Sequence, residues 1–424
     1  MYSTQRASDQ KLMEKFKPIN ECLACGHHVL IPTLSFEPQP LANAFRQIQT
    51  TIHESRYPLA INRCEHCNHL QLTHAVNPEL IYKHYLYVSG TSQTLLDYMD
   101  WYAWWVREQF SYWTTSVLDI GCNDGSQLDA FRRAQYETHG VDPATNLHAE
   151  SSKRHNVICS FWNEETLNRL GRTFDVITTQ NAFAHVPDPL AYLKLCKQAL
   201  RSDGKIFIST SQADMVLNGE FDTIYHEHIS YYNAYSMKCL AERAGLYLVD
   251  VVKTPIHGTS YIFVLAKKPM NEHRVKNILA MEQAAGLQTA ETYYEWSHGV
   301  ENLLEQLTEQ IEEFRGFGLF KHFIGYGAAA KGMTLINASG IKLDVVIDDN
   351  PLKQGLYCPG TQLQVVSSDY IRQMPANEPV LFVPLAWNFY AEITQKIKAI
   401  RNQPGDAFMR YFPKLRTDFN ENSI

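Results

Sequence analysis

Ser116-Val117-Leu118-Asp119-Ile120-Gly121-Cys122-Asn123-Asp124-Gly125-Ser126 is an apolar strand that runs into a turn and then into a helical pattern. Glycine at such a bend lets the backbone pass close to a ligand, because no Cβ intervenes. About twenty residues on, a second apolar strand ends at Gly140-Val141-Asp142-Pro143, where a carboxylate is positioned to accept the ribose hydroxyls of an adenosine. The spacing through Asp119, Gly121, Asn123 and Gly125 is not the Gly-x-Gly-x-x-Gly that cradles a pyrophosphate. An adenosine ligand without pyrophosphate and carrying positive charge fits better, and S-adenosylmethionine is the candidate. A glycine-rich bend alone is also ordinary turn chemistry. Asp142 in register, with more strands after it, favours the cofactor.

The 424 residues suggest two or three domains with ample apolar material for their cores. A net charge of −7 argues against nucleic acid or an anionic membrane as partner. No apolar run has bilayer-spanning length, and Met1-Tyr2-Ser3-Thr4-Gln5-Arg6 opens no signal-peptide core. The expectation is a cytoplasmic enzyme, monomeric or a small homo-oligomer, with a small-molecule substrate. Of nine cysteines, four are paired by spacing, Cys22 with Cys25 and Cys64 with Cys67. In a reducing compartment such pairs indicate metal rather than disulfides. Four thiolates saturate Zn2+ and leave no open position, so the ion would be structural. His27, His28, His66 and His69 stand close enough in sequence to replace one thiolate.

Beyond a cysteine-bearing module over 1–80, strands and helices alternate. Strands are expected near 116–120, 137–141, 157–160, 174–178, 205–210, 246–252 and 260–266. Only the last two follow each other through a short turn, at Pro255-Ile256-His257-Gly258. That order predicts an α/β fold over 81–270, a doubly wound parallel sheet with an antiparallel edge hairpin. It is the Rossmann-like architecture of class I methyltransferases. Residues 271–318 read as one or two connecting helices. A second Rossmann-like α/β domain over 319–424 opens at Gly325-Tyr326-Gly327-Ala328-Ala329-Ala330-Lys331, with Asp348 and Asp349 about twenty residues on. Alone, that turn reads as NAD binding. A helix N-terminus plus Lys331 would equally serve the diphosphate of a nucleotide-linked substrate.

Asp222-Thr223-Ile224-Tyr225-His226-Glu227-His228-Ile229-Ser230-Tyr231-Tyr232 follows the fifth strand of the central sheet. Histidine is the natural proton acceptor near neutral pH, and an adjacent carboxylate fixes its tautomer. The competing readings are a hydrogen-bonded polar loop, or a catalytic metal on His226 and His228. Gln180-Asn181-Ala182-Phe183-Ala184-His185-Val186-Pro187-Asp188 follows the fourth strand, and there His185 either polarises a carbonyl or simply starts a helix. Tyr82, Tyr85 and Tyr87 either cover the active site or pack the cysteine module onto the sheet.

These segments together resemble the three-domain, zinc-containing sugar C-methyltransferases, which act at C3 of nucleotide-linked 4-keto-6-deoxysugars. The resemblance covers nearly the whole chain. It adds Pro40-Leu41-Ala42-Asn43-Ala44-Phe45, Asp348-Asp349-Asn350-Pro351-Leu352-Lys353-Gln354-Gly355 and Ala386-Trp387-Asn388 to the motifs above. It implies His228 as general base, Glu227 and Tyr225 orienting base or substrate, and His185 near the keto oxygen. It implies Tyr82 and Tyr85 facing substrate, and a nucleotide held through Lys331 and Asn388. Asp119, Gly121, Asn123, Gly125, Asp142, Pro143 and Asn181 would line the cofactor. Related enzymes methylate other acceptors, so an O- or C-methyltransferase of a non-sugar acceptor is the first alternative. An NAD-dependent oxidoreductase is the second.

Overall fold

The computed structural model describes residues 15–51, 54–82, 88–91, 93–210, 214–256 and 258–420. The chain forms two compact units, one of Met1–Pro32, Ile61–Asp214 and Glu227–Thr289, the other of Thr33–Ala60, Met215–His226 and Ala290–Ile424.

Short strands come first in the described chain. β1 (Phe16–Pro18) pairs antiparallel with β5 (His74–Val76). β2 (Leu30–Gln39), β3 (Tyr57–Cys64) and β4 (Leu70–Leu72) belong to a four-stranded sheet whose outer members are β2 and, from far along the chain, β11 (Ser230–Tyr231). In β3 Tyr57, Leu59 and Ile61 are buried while their neighbours are less so, the period of two a half-covered strand requires. The cysteine spacing that marked residues 1–80 gave no sign of this sheet.

The central sheet holds β6 (Ser116–Ile120), β7 (Glu137–Asp142), β8 (Asn156–Cys159), β9 (Phe174–Gln180), β10 (Leu200–Thr210), β12 (Tyr247–Thr254) and β13 (Ser260–Ala266), in the order β12-β13-β10-β9-β6-β7-β8. β6 is parallel to β7 and β9, and every residue in it is buried, as expected of a strand covered on both faces. Leu118, Ile177 and Ile206 point into one core, Val117, Val176 and Phe207 into the other. Helix Gln93–Glu108 packs onto the second core through Met99, Tyr102, Ala103 and Val106, a stripe at helical spacing. β12 and β13 form the expected antiparallel hairpin at the sheet edge. Strand order reverses between β6 and β9. The crevice beyond the C-terminal ends of those two strands is where a doubly wound sheet takes its ligand.

The second unit carries a six-stranded sheet, order β16-β15-β14-β17-β18-β19, from β14 (His322–Tyr326), β15 (Val345–Ile347), β16 (Val365–Val366), β17 (Val380–Pro384), β18 (Ala407–Arg410) and β19 (Arg416–Phe419). Its strands are parallel except for the β18–β19 hairpin, and its order reverses between β14 and β17. The connector is two helices, Glu272–Ala284 in the first unit and Ala290–Gly316 in the second. Among the described residues no helix is long and apolar enough to cross a membrane.

Candidate active site and metal centre

The turn after β6 stands at the switch point of the central sheet. Gly121 has φ 88°, and a Cβ there would come within 2.6 Å of the Ala182 Cβ, so only glycine lets the loops after β6 and β9 approach this closely. Gly121 N–H donates to Val141 O, and Asp142 accepts from the amides of Asn123 (2.8 Å) and Ala144 (2.8 Å). Asp142 is thus fixed by the backbone, with its remaining lone pairs left for hydroxyls, and burial raises its pKa. Pro143 follows it half-buried, and Gly125 opens helix Ser126–Arg133.

Asp119 is 2 % exposed, and its Oδ1 has no hydrogen-bond partner. Burial, and then the nearby Asp142 carboxylate, push its pKa up to about 8. A bare acid of this kind calls for a cation. Across the crevice Asn181 adopts φ 53° and also buries an unpartnered Oδ1. Two unsatisfied acceptors beside a glycine turn suit the ammonium and hydroxyl groups of S-adenosylmethionine. The turn is further held by Ser89 and Gly90, whose amides donate to Asn123 Oδ1 (3.0 Å) and Asp124 Oδ2 (3.1 Å). Neither Ser89 nor Gly90 belongs to a motif recognised in the sequence. The small, polar run Ser89-Gly90-Thr91 just ahead of the aromatic helix was the available signal.

His185 closes a short 3-10 turn, Phe183–His185, rather than starting a helix; Asp188 caps the helix that follows by accepting from Ala191 N–H (2.9 Å). The imidazole has two stacked ring neighbours, Tyr82 (5.4 Å between centroids, 9° between planes) and His228 (5.2 Å, 28°). Its Nε2 is shielded and without a hydrogen-bond partner, and burial lowers its pKa to about 4, so the ring is neutral at physiological pH. His228 and Glu227 are buried too, and the Tyr82 hydroxyl donates to Glu227 O at 3.3 Å.

Backbone pairing brings these side chains together. Ile229 N–H donates to Ala184 O (2.7 Å), and Ile229 O accepts from Leu72 N–H (2.9 Å). The next two residues form β11, which pairs with Gln71 and Leu70 of β4. His228 is therefore suspended between the loop that carries His185 and the sheet that carries the cysteines. Tyr85 and Tyr87 lie outside the described residues. In the second unit, half-buried Tyr225 precedes His226, which is buried, turned toward Tyr57 O (Nε2 3.3 Å) and held near pKa 4 by burial.

Cys22, Cys25, Cys64 and Cys67 bring their four sulfurs within 4.8 Å of one another. Each pair sits in a tight turn, with Gly26 N–H donating to Cys22 O and Asn68 N–H to Cys64 O. Four converging thiols suit tetrahedral Zn2+. Among the described residues no other group of three or more potential ligands converges, so His226 and His228 complete no second site, and no histidine joins the quartet.

The second sheet repeats the turn chemistry at its own switch point. Gly327 (φ 99°) donates to Ile347 O, while Asp348 accepts from the amides of Ala328 (2.7 Å) and Asn350 (2.8 Å). Asn388 lies in the 3-10 turn after β17, half-buried. Lys331, in the first turn of helix Ala330–Ser339, faces two carboxylates, Asp222 Oδ1 at 3.8 Å and Glu220 Oε2 at 4.0 Å.

Three family models match the chain in order: a zinc binding domain over residues 22–82, a methyltransferase domain over 101–251, and a C-methyltransferase C-terminal domain over 255–413. The C-methyltransferase NovU of Streptomyces niveus is 30% identical over 423 residues, 96% of this chain and 99% of its own length. A ubiquinone biosynthesis O-methyltransferase of Coxiella burnetii (strain RSA 493 / Nine Mile phase I) is 26% identical over 180 residues, 38% of this chain and 76% of its own. Among solved structures, magnesium protoporphyrin IX methyltransferase from Synechocystis PCC 6803 with bound SAM aligns at 14% identity, covering 41% of this chain and 79% of that one, with TM-score 0.31. The cofactors of the present chain are S-adenosylmethionine and structural zinc, and with a relative matched along nearly its whole length the chain belongs to the C-methyltransferase family that includes NovU.

Proposed function

We propose that this enzyme methylates C3 of a nucleotide-linked 4-keto-6-deoxysugar. A proton on a carbon beside a ketone is too weakly acidic to leave unaided, so the chain must supply both a base and a donor for the enolate oxygen. In this reading His228 takes the C3 proton, with Glu227 and Tyr225 orienting it. Neutral His185, helped by Tyr82 or Tyr85, donates to the developing oxyanion. A pre-placed donor of this kind is typically worth about 3 to 4 kcal/mol. S-adenosylmethionine supplies the electrophilic methyl, which bonds to the enolate carbon as its bond to sulfur breaks. The proton then leaves His228 for solvent, and no redox partner is needed.

The observation that carries the reading is the Tyr82–His185–His228 stack. It sets a lone neutral imidazole nitrogen beside a second buried imidazole, at the loop that also bears Asn181. Methyl transfer to a hydroxyl needs one base at the oxygen that is methylated, whereas carbon methylation beside a ketone needs both a base and an oxyanion donor, the two roles a pair of imidazoles can divide. Work is divided along the chain: metal module 1–80, methyl transfer 81–270, helical connector 271–318 and nucleotide recognition 319–424, with Asn388 holding the nucleotide. A small-molecule enzyme of the cytoplasm is implied.

Carbon-13 methyl-labelled S-adenosylmethionine, incubated with a panel of nucleotide 4-keto-6-deoxyhexoses, tests this by carbon NMR. A new alkyl methyl signal is expected, whereas a methoxy signal would overturn the reading. His228→Ala should abolish turnover while leaving cofactor affinity near wild type. Retention of near-normal turnover removes it as the base.

A further inference from the structure

The segment that leads into the Tyr225-His226-Glu227-His228 motif is strapped down at every second residue, all within the second unit. Glu220 O accepts from Trp296 Nε1 at 2.9 Å. Asp222 Oδ2 accepts from the Tyr411 hydroxyl at 2.7 Å. Ile224 O accepts from Thr334 Oγ1 at 3.4 Å, and His226 Nε2 reaches Tyr57 O at 3.3 Å. Between these anchors Phe221, 1 % exposed, packs its ring against Phe36.

Lys331 is the cation of this strap. Its ammonium lies between Asp222 and Glu220, themselves 1 % and 4 % exposed, and over the Trp387 ring at 5.1 Å. Asp222 Oδ1, nearly inaccessible, makes no hydrogen bond, so the lysine is the positive charge that meets it. A buried acid left without its cation is strongly destabilising, because the charge that remains is neither solvated nor paired. A substrate diphosphate, in contrast, would meet two carboxylates beside the one ammonium.

We infer that Lys331 is a positioning residue for methyl transfer rather than a phosphate ligand. It fixes Asp222 and Glu220, and with them the backbone register in which Tyr225 and His226, of the same unit, are presented. The inference rests on the role proposed above for Tyr225.

The test compares Lys331→Met with the double variant Lys331→Met/Asp222→Asn. Amide hydrogen exchange of peptides spanning 220–226 is read in the ligand-free protein, and kcat and KM are read with the acceptor. The single variant should exchange faster across this segment. Its kcat should drop about a hundredfold, the scale of a 1 Å misplacement, with acceptor KM changed by less than about threefold. Removing the acid along with the lysine should slow exchange again and recover about tenfold in kcat. Unchanged exchange in the single variant overturns the inference, and so does a double variant no better than the single one. A KM raised about tenfold at full kcat would make Lys331 a phosphate ligand instead. Should no sugar serve as acceptor, the exchange measurement still decides whether Lys331 holds the strap.

Discussion

At the scale of a single residue, Asp119 carries the clearest consequence. Its folded-state pKa of about 8 lies far above that of an exposed aspartate. The folded, ligand-free protein therefore keeps a proton that the unfolded chain releases near pH 4. This contribution to stability is complete below that value and is lost as pH rises toward 8. Asp119→Asn should accordingly raise the melting temperature of the ligand-free enzyme by a few degrees at pH 8, while weakening S-adenosylmethionine. The cationic cofactor should displace the proton, so wild-type affinity should improve by up to about tenfold per unit as pH rises toward 8. Calorimetry at pH 6.5, 7.25 and 8 checks this, and an affinity independent of pH would show that Asp119 does not meet the cofactor's charge. The turn itself was legible in the sequence, because glycines between an apolar strand and a helical pattern mark a bend, and Asp142 ends the next strand. The internal bonds of Asp142 were not, since they depend on where two loops meet.

Among the elements, β11 shows both what a sequence conceals and what the zinc is for. Ser230 and Tyr231 carry no periodicity from which a strand could be recognised, and their partners lie far back in β4. The alternating strands and helices of the central sheet were readable because each long strand is buried on both faces. A two-residue strand exists only through its non-local pairing. That pairing ties the metal centre to His228, the base proposed above. β3 ends on Cys64, the turn through Cys67 leads to β4, and β4 holds β11, two residues beyond His228. One equivalent of zinc per chain is expected by elemental analysis. Stripping it with a chelator, or replacing Cys64 and Cys67 with serine, should cut turnover by about a hundredfold through misplacement of His228. Cofactor affinity should hardly change, because Asp119 and Asp142 sit on strands of the other sheet. A zinc-free enzyme with full turnover would refute the link.

On the scale of the whole molecule, the chain contains two Rossmann-like sheets whose switch-point turns are nearly interchangeable in their hydrogen bonds. In each, a left-handed glycine donates to the carbonyl before a strand-end aspartate, and that aspartate accepts two backbone amides. Read as patterns, the first turn predicts a bound adenosine and the second a bound nucleotide, which is why NAD stayed open at the second. What differs is the charge each turn presents. The first buries a bare acid, Asp119, and attracts a cation. The second has its lysine facing Asp222 and Glu220 and its entrance turn tied by Lys353 to Ala328 O at 2.7 Å, so a pyrophosphate would find these cations already engaged, and the nucleotide of the substrate proposed above would be held through Asn388 rather than through its phosphates. Titration calorimetry should therefore return one equivalent of S-adenosylmethionine per chain, and NADH fluorescence should be unaffected by the protein. The same stoichiometry should hold in Asp348→Asn, whereas Asp142→Asn should lose cofactor binding about tenfold or more, the scale of one lost charge-assisted hydrogen bond. A second equivalent of cofactor, or enhanced NADH emission, would mean that turn geometry outweighs local charge in choosing the ligand.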